Sequence, residues 1–157
     1  MVARTLARGR MFALVVPSVV ALVAVGHLAL ARAQRTTGVV IEDTGAAVGG
    51  PNAAAALDGA LHEALNAHPG LRIEGRPDRA RFRITGSIVE WDTREVVDGH
   101  EFRCAVSIVV ADARGSVRAM LSGRAAARGE GDLGSLSSRA LLAATRSALR
   151  PLADGLN

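Results

Sequence analysis

Residue types that usually carry chemistry are sparse in this chain. Beyond residue 33 the histidines are His62, His68 and His100. His62 and His68 lie six apart, not the three or four that would put two ligands on one helix face, and no Cys or carboxylate cluster completes a metal site. Thr85-Gly86-Ser87 lacks the G-x-S-x-G pattern of a nucleophile elbow. Gly38, Gly45, Gly49 and Gly50 lie between a strand-like and a helix-like stretch, where a phosphate loop would sit, and helix N-termini attract anions. Neither the Walker spacing nor G-x-G-x-x-G is present, so this reads as an ordinary loop. Asp92, Glu95, Asp98 and Glu101 cluster near Trp91. Paired carboxylates around an aromatic can mark a carbohydrate hydrolase. Between two strands they read instead as a solvated loop, unless two of them converge across a cleft at Trp91. The expectation is a protein with no catalytic residue, no metal and no cofactor.

Two further features bear on chemistry. Cys104 is the only cysteine, so it forms no intramolecular disulfide, and its place in an alternating pattern makes it a small buried hydrophobe rather than a reactive thiol. All 19 basic residues are Arg. Four of them, Arg4, Arg8, Arg10 and Arg32, fall in residues 1–33, which hold no acid; the remaining 15 Arg face 15 Asp and Glu. A nucleic-acid binder keeps a basic excess in its folded part to neutralise phosphates, and this chain keeps none.

Residues 1–33 have the layout of a secretory signal. A positive start precedes an apolar run of about 20 residues, and Ala31-Arg32-Ala33 offers small residues where a signal peptidase reads. Cleavage after Ala33 is expected. The run is also long enough for an uncleaved membrane anchor, although Pro17, Gly26 and His27 weaken it as a membrane helix. Either way the remainder, residues 34–157, is a single exported domain, periplasmic or secreted, and meets a membrane only through an uncleaved N-terminal segment.

The elements that would position any site are strands and two helices. The strongest signal is Glu101–Arg128, read as two long strands joined at Asp112-Ala113-Arg114-Gly115. Phe102, Cys104, Val106, Ile108 and Val110 share one face, because successive strand side chains point to opposite sides. After the turn, Val117, Ala119, Leu121, Gly123 and Ala125 take that face, and Arg118, Met120, Ser122, Arg124 and Arg128 the other. A first strand is expected at Thr37–Glu42, a short one at Leu71–Glu74, and another at Ala80–Trp91. In the last, Phe82, Ile84 and Ile88 point one way and Arg81, Arg83, Thr85, Ser87, Val89 and Trp91 the other. Gly86 marks either a bulge or a close helix approach. Asp92–His100 reads as a polar connection. Helices are expected at Ala53–His68, capped by Asn52, and Leu136–Arg150, capped by Ser135 and stopped by Pro151. The order β-α-β-β-β-β-α predicts an α+β, two-layer sandwich: a mostly antiparallel sheet of about five strands with two helices on one face.

Ala80-Arg81-Phe82-Arg83-Ile84-Thr85-Gly86-Ser87-Ile88 resembles the alanine, aromatic, hydrophobic, Thr-Gly-Ser-Ile strand of certain exported bacterial domains. These are the periplasmic α/β domains of curli-assembly channel proteins and of outer-membrane activators of penicillin-binding proteins. Val106–Asp112 with Gly115 resembles their next strand and D-x-x-x-G turn. The resemblance covers about Thr37–Leu152, with its specific part in Ala80–Gly123. It departs from the family in having only a turn before Ala80, where a helix is usual, and in lacking a lipid-accepting Cys. The resemblance implies a non-enzymatic assembly or regulatory module and transfers no functional residue.

If these registers hold, the sheet face away from the helices carries Arg81, Arg83, Arg103, Arg118 and Arg124, with Trp91 as an anchor at a strand end. One reading is a solvated face with cross-strand Arg–Glu pairs and no partner. The other is a docking face for an acidic cell-envelope protein, since Arg is enriched where carboxylates are recognised. Two functions follow: an exported interaction or assembly domain of the bacterial cell envelope, or a periplasmic carrier of a small ligand or lipid held between helices and sheet. Ala119, Gly123 and Ala125 would leave room for a ligand in the second, or let helices pack closely in the first.

Overall fold

A computed structural model describes residues 36–50 and 52–152. The signal-peptide reading of residues 1–33 lies outside the described residues. The elements are β1 (Thr37–Ala46), α1 (Ala53–Asn66), β2 (Leu71–Ile73), a 3-10 turn (Pro77–Arg79), β3 (Phe82–Val96), β4 (Gly99–Asp112), β5 (Val117–Gly129) and α2 (Leu133–Leu149). They form the expected α+β sandwich. One five-stranded sheet, in the order β2-β1-β3-β4-β5, carries both helices on one face. The long ladders β3–β4 and β4–β5 are antiparallel, and β1 pairs in parallel with both β2 and β3. The parallel pairs follow from the helix and turn that carry the chain back across the sheet between β1 and β3.

The core lies between helices and sheet. Leu57, Leu61 and Leu65 of α1 and Leu136, Leu141 and Leu149 of α2 meet Ile84, Ile88, Val106, Ile108 and Val110 of the strands. Two glycines set how closely helix meets sheet. A Cβ on Gly86 would stand 2.8 Å from a Leu61 methyl, so β3 lacks a side chain there to admit α1. A Cβ on Gly123 would overlap the backbone of α2 at Ala144 and Ala148. The small residues of β5 are therefore filled against by the helix, and Ala119, Leu121 and Ala125 pack on the core.

Several expectations are corrected. Asn52 precedes α1, but its side chain makes no capping hydrogen bond. The cap of α2 is Asp132, whose Oδ2 accepts from the Ser135 N–H at 3.0 Å; Ser135 lies inside the first turn. Asp43–Ala46 continues β1 instead of beginning a loop, and Asp92–Val96 and Gly99–His100 continue a hairpin instead of forming a connection. Of the two readings of Gly86 the close helix approach holds, and the bulge of β3 falls instead at Val89. It reverses the facing of every later residue on that strand. Trp91 is thereby paired with Cys104 on the helix side, where it meets Phe102 edge-on at 4.7 Å between ring centroids.

Candidate functional site

The sheet face turned away from the helices is built row by row from the strand registers. Arg83 pairs with Ala111 near the Asp112 turn, Thr85 with Val109 and Met120, and Ser87 with Ser107 and Ser122. Beyond the bulge come Glu90 with Ala105 and Arg124, Asp92 with Arg103 and Ala126, and Arg94 with Glu101 and Arg128. Val89, itself the extra residue, adds an apolar side chain that is 52% exposed, and Met120 is 74% exposed. The face therefore has three zones. A central band of Thr85, Ser87, Ser107, Ser122, Val109 and Met120 carries no charge, and a charged zone lies at each end.

Most of the arginines are already paired. Arg83 Nη1 donates to Glu42 Oε1 at 2.9 Å. Arg118 Nε donates to Asp112 Oδ2 at 2.9 Å, while Asp112 Oδ1 accepts the backbone N–H groups of Arg114 and Ser116 and so ties the turn. Glu101 is only 4% exposed and lies under two guanidinium groups: Arg103 at 3.1 Å and Arg128 at 3.2 Å. These contacts act on ionisation. The Arg103 hydrogen bond, above all, holds the Glu101 carboxyl below its ordinary range, and Arg118 does the same for Asp112. Burial pushes the Cys104 thiol up to about 11, so it is neutral and inert at ordinary pH.

Of the six residues singled out in the sequence, Arg83, Arg103, Arg118 and Arg124 share the open face. Arg83 and Arg118 fall at one end and Arg103 and Arg124 at the other. Arg81 sits just before β3, with its guanidinium 5.2 Å from the centroid of the Phe82 ring. Trp91 does not join them; it seals the edge of the core, and a Cβ on Gly49 would stand 3.0 Å from its ring. The neutral residues between the arginines were not read as a band, and Glu42, Glu101 and Asp112 were not read as the partners that hold the arginines. Glu101 and Arg103 have the same parity along β4, which was the available signal.

The carboxylates near Trp91 do not converge. Asp92 pairs with Arg94 at 2.9 Å, Glu101 is held by its two arginines, and Asp98 lies in the hairpin turn. His62 and His68 sit apart and exposed, each with Nδ1 about 3.0 Å from a neighbouring carbonyl oxygen, of Asp58 and Pro69 respectively. Among the described residues no helix is long and apolar enough to cross a membrane.

No family model matches the chain, and no curated protein is similar to it. Solved structures share its fold. A PelC dodecamer from Paraburkholderia phytofirmans is 22% identical, with 75% of this chain and 90% of that chain covered and a TM-score of 0.57. A second PelC dodecamer from that organism is 21% identical over 75% and 88%, with a TM-score of 0.55. A DUF330 protein from Xanthomonas campestris is 10% identical over 74% and 80%, with a TM-score of 0.51. At these identities the likeness is one of fold. The narrower resemblance to curli-channel and activator domains rests on the Ala80–Ile88 and Val106–Gly115 residues alone.

Proposed function

We propose that the chain is an exported, non-enzymatic assembly domain of the bacterial cell envelope. On this reading residues 1–33 are its targeting segment, and it docks a protein partner through the open sheet face. The observation that carries the reading is the asymmetry of the sheet. One face is closed by two helices; the other leaves a neutral band of hydroxyl side chains, Val109 and the exposed Met120 between two arginine-bearing ends. Such a band costs less to desolvate than the charged ends, provided its hydroxyls find partners, and the flanking charges can fix orientation. The paired state of Arg83, Arg103 and Arg118 moves the expected contact from the arginines to the band, leaving the charges as its rim. That PelC, with this fold, is found as a dodecamer supports a role in assembly. The packing at Gly123 disfavours the carrier alternative, because the small residues of β5 are filled by α2.

The test places a charge in the band without touching an ion pair. Ser107→Arg lies at the centre of β4, the middle strand of the three that build the band. Native protein cross-linked in its envelope should capture a defined envelope protein by mass spectrometry, and Ser107→Arg should lose it while the circular dichroism spectrum stays the same. Equal capture by the variant, or capture of no defined protein, overturns the docking reading. A lipid or small molecule co-purifying in place of protein returns the carrier.

A further inference from the structure

Readily oxidised side chains are few beyond residue 33, and the fold withdraws two of them. Cys104 is buried, and its thiol, pushed up to about 11, offers almost no thiolate to an oxidant at ordinary pH. Trp91 packs at the core edge with its ring against Phe102. Met1 and Met11 fall in residues 1–33, which leaves Met120 as the one methionine of the remainder. Its side chain is more exposed than Val89 or Val117 on the same sheet. Met120 pairs with Val109, which pairs with Thr85, so the thioether stands in the uncharged band. Arg118 and Ser122 flank it on the same face of β5, because alternate strand residues share a side. The core cluster does not include Met120, so the fold does not depend on an apolar side chain there.

We propose that Met120 is a redox-sensitive modification site: oxidation of its thioether to the sulfoxide by a peroxide turns docking at the open face off, and reduction turns it on again. The inference rests on the docking reading above. In the forward step the Met120 sulfur donates an electron pair to one oxygen of hydrogen peroxide and the O–O bond breaks. The proton of the transferred hydroxyl passes to the departing hydroxide, which leaves as water. Sulfur loses two electrons and the peroxide gains them. In the reverse step a sulfoxide reductase draws two electrons from a dithiol, which becomes a disulfide, and the oxygen leaves as water. The modification replaces a soft, apolar sulfur with a polar S=O group. In the free protein that group stays in water, and the net charge is unchanged, so the ion pairs of Arg83, Arg103 and Arg118 persist. Under a docked partner it must be desolvated, and a polar group buried without a donor opposite it costs binding. A thioether needs no prior loss of a proton, which is why Met120 reacts where Cys104 does not. On the export reading the domain works in an oxidising compartment, outside the cytosolic thiol pool. A docked partner covers Met120, so oxidation acts on the free protein and the bound protein is protected.

The test treats the exported protein with hydrogen peroxide and follows modification and capture together. Peptide mapping should place one added oxygen atom at Met120, at a rate within about twofold of that in denaturant, and the circular dichroism spectrum should not change. Capture of the envelope protein by cross-linking should fall about tenfold or more. The two epimer-specific methionine sulfoxide reductases, supplied with a dithiol, should restore it. Met120→Leu keeps an apolar side chain of similar volume without the sulfur; it should capture as wild type does, before and after peroxide. Native oxidation much slower than in denaturant, or loss of capture in peroxide by Met120→Leu as well, overturns the proposal. Capture that is normal before treatment and unchanged after it overturns this inference alone, whereas untreated protein that captures nothing overturns the docking reading and this inference with it.

Discussion

Two faces of one strand, β4, are built on opposite rules. Phe102, Cys104, Val106, Ile108 and Val110 are buried under the helices, each held by neighbours from at least one other element. Between them Arg103, Ala105, Ser107, Val109 and Ala111 face outward and meet only the side chains of adjacent strands. The first set is constrained by volume: the helices approach so closely that β3 and β5 use glycine at Gly86 and Gly123. The second is constrained by charge balance, with each zone of arginine matched by Glu42, Asp112 or Glu101. A face that needs no particular shape for folding is free to take one for a partner.

The sharpest way to break this contrast is to add volume at the tightest point of the closed face. Gly123→Val drives a side chain into the α2 backbone, where nothing flexible can give way. A loss of about 3 kcal/mol or more is expected from urea unfolding. Val at a comparable site on the open face, Ser122→Val, should change stability by about 0.5 kcal/mol or less. Equal losses would mean that the outer face is also packed.

Removing volume should separate the faces nearly as well. Ile108→Ala takes a fully buried side chain from the centre of the core and should cost about 2–5 kcal/mol. Ser107→Ala, its neighbour on the other face, should stay within about 0.5 kcal/mol. Urea midpoints of the two variants that coincide would contradict the assignment of faces.

The face pattern was legible in β4, whose alternation runs unbroken from Phe102 to Val110, and in β5 from Ala119 onward. Val117, expected on the core face, pairs instead with Ala111 and is 58% exposed, because the register shifts by one residue at that end of β5. The facing of β3 beyond Ile88 was not legible by the same rule. One extra residue, Val89, inverts the period, and no side chain announces it, since Val89 and Glu90 both suit an outer face. A different count would have found it. From the hairpin turn at Val97-Asp98, pairing backward sets Val96 against Gly99 and Trp91 against Cys104, a core residue. From the other end, Ile88 pairs with Val106, and the two counts disagree by one residue. The candidate site was half legible for a related reason. The arginines were placed on the open face by parity, but their partners come from β1, from a turn and from a strand end, and such pairings are set by register rather than by local spacing.

Cys104 offers a chemical probe of the closed face. Its thiol, raised from 9.0 to about 11, should be about 100-fold less ionised at pH 8 than an unperturbed one. Alkylation of the native protein at pH 8 should be slower by at least that factor than in denaturant. A native rate near the denatured one would show that the seam between β4 and β5 opens to solvent.

The smallest effect expected is an electrostatic one on the open face. Glu101 and Asp112 bind protons less tightly in the folded protein than at their ordinary values of 4.5 and 3.8, because Arg103 and Arg118 donate to them. The stability they contribute is therefore complete above those values and lost as the pH falls below them. Arg118→Gln removes the guanidinium from Asp112 and leaves the two turn hydrogen bonds. Its urea midpoint should fall short of wild type at pH 7, and the gap should narrow at about pH 3, where the paired carboxylate is partly protonated in both proteins. The Arg118 side chain is more than half exposed, so the gap at neutral pH should be small, and salt should shrink it further. A gap that persists unchanged in acid would show that Arg118 acts through its packing on the turn and not through its charge.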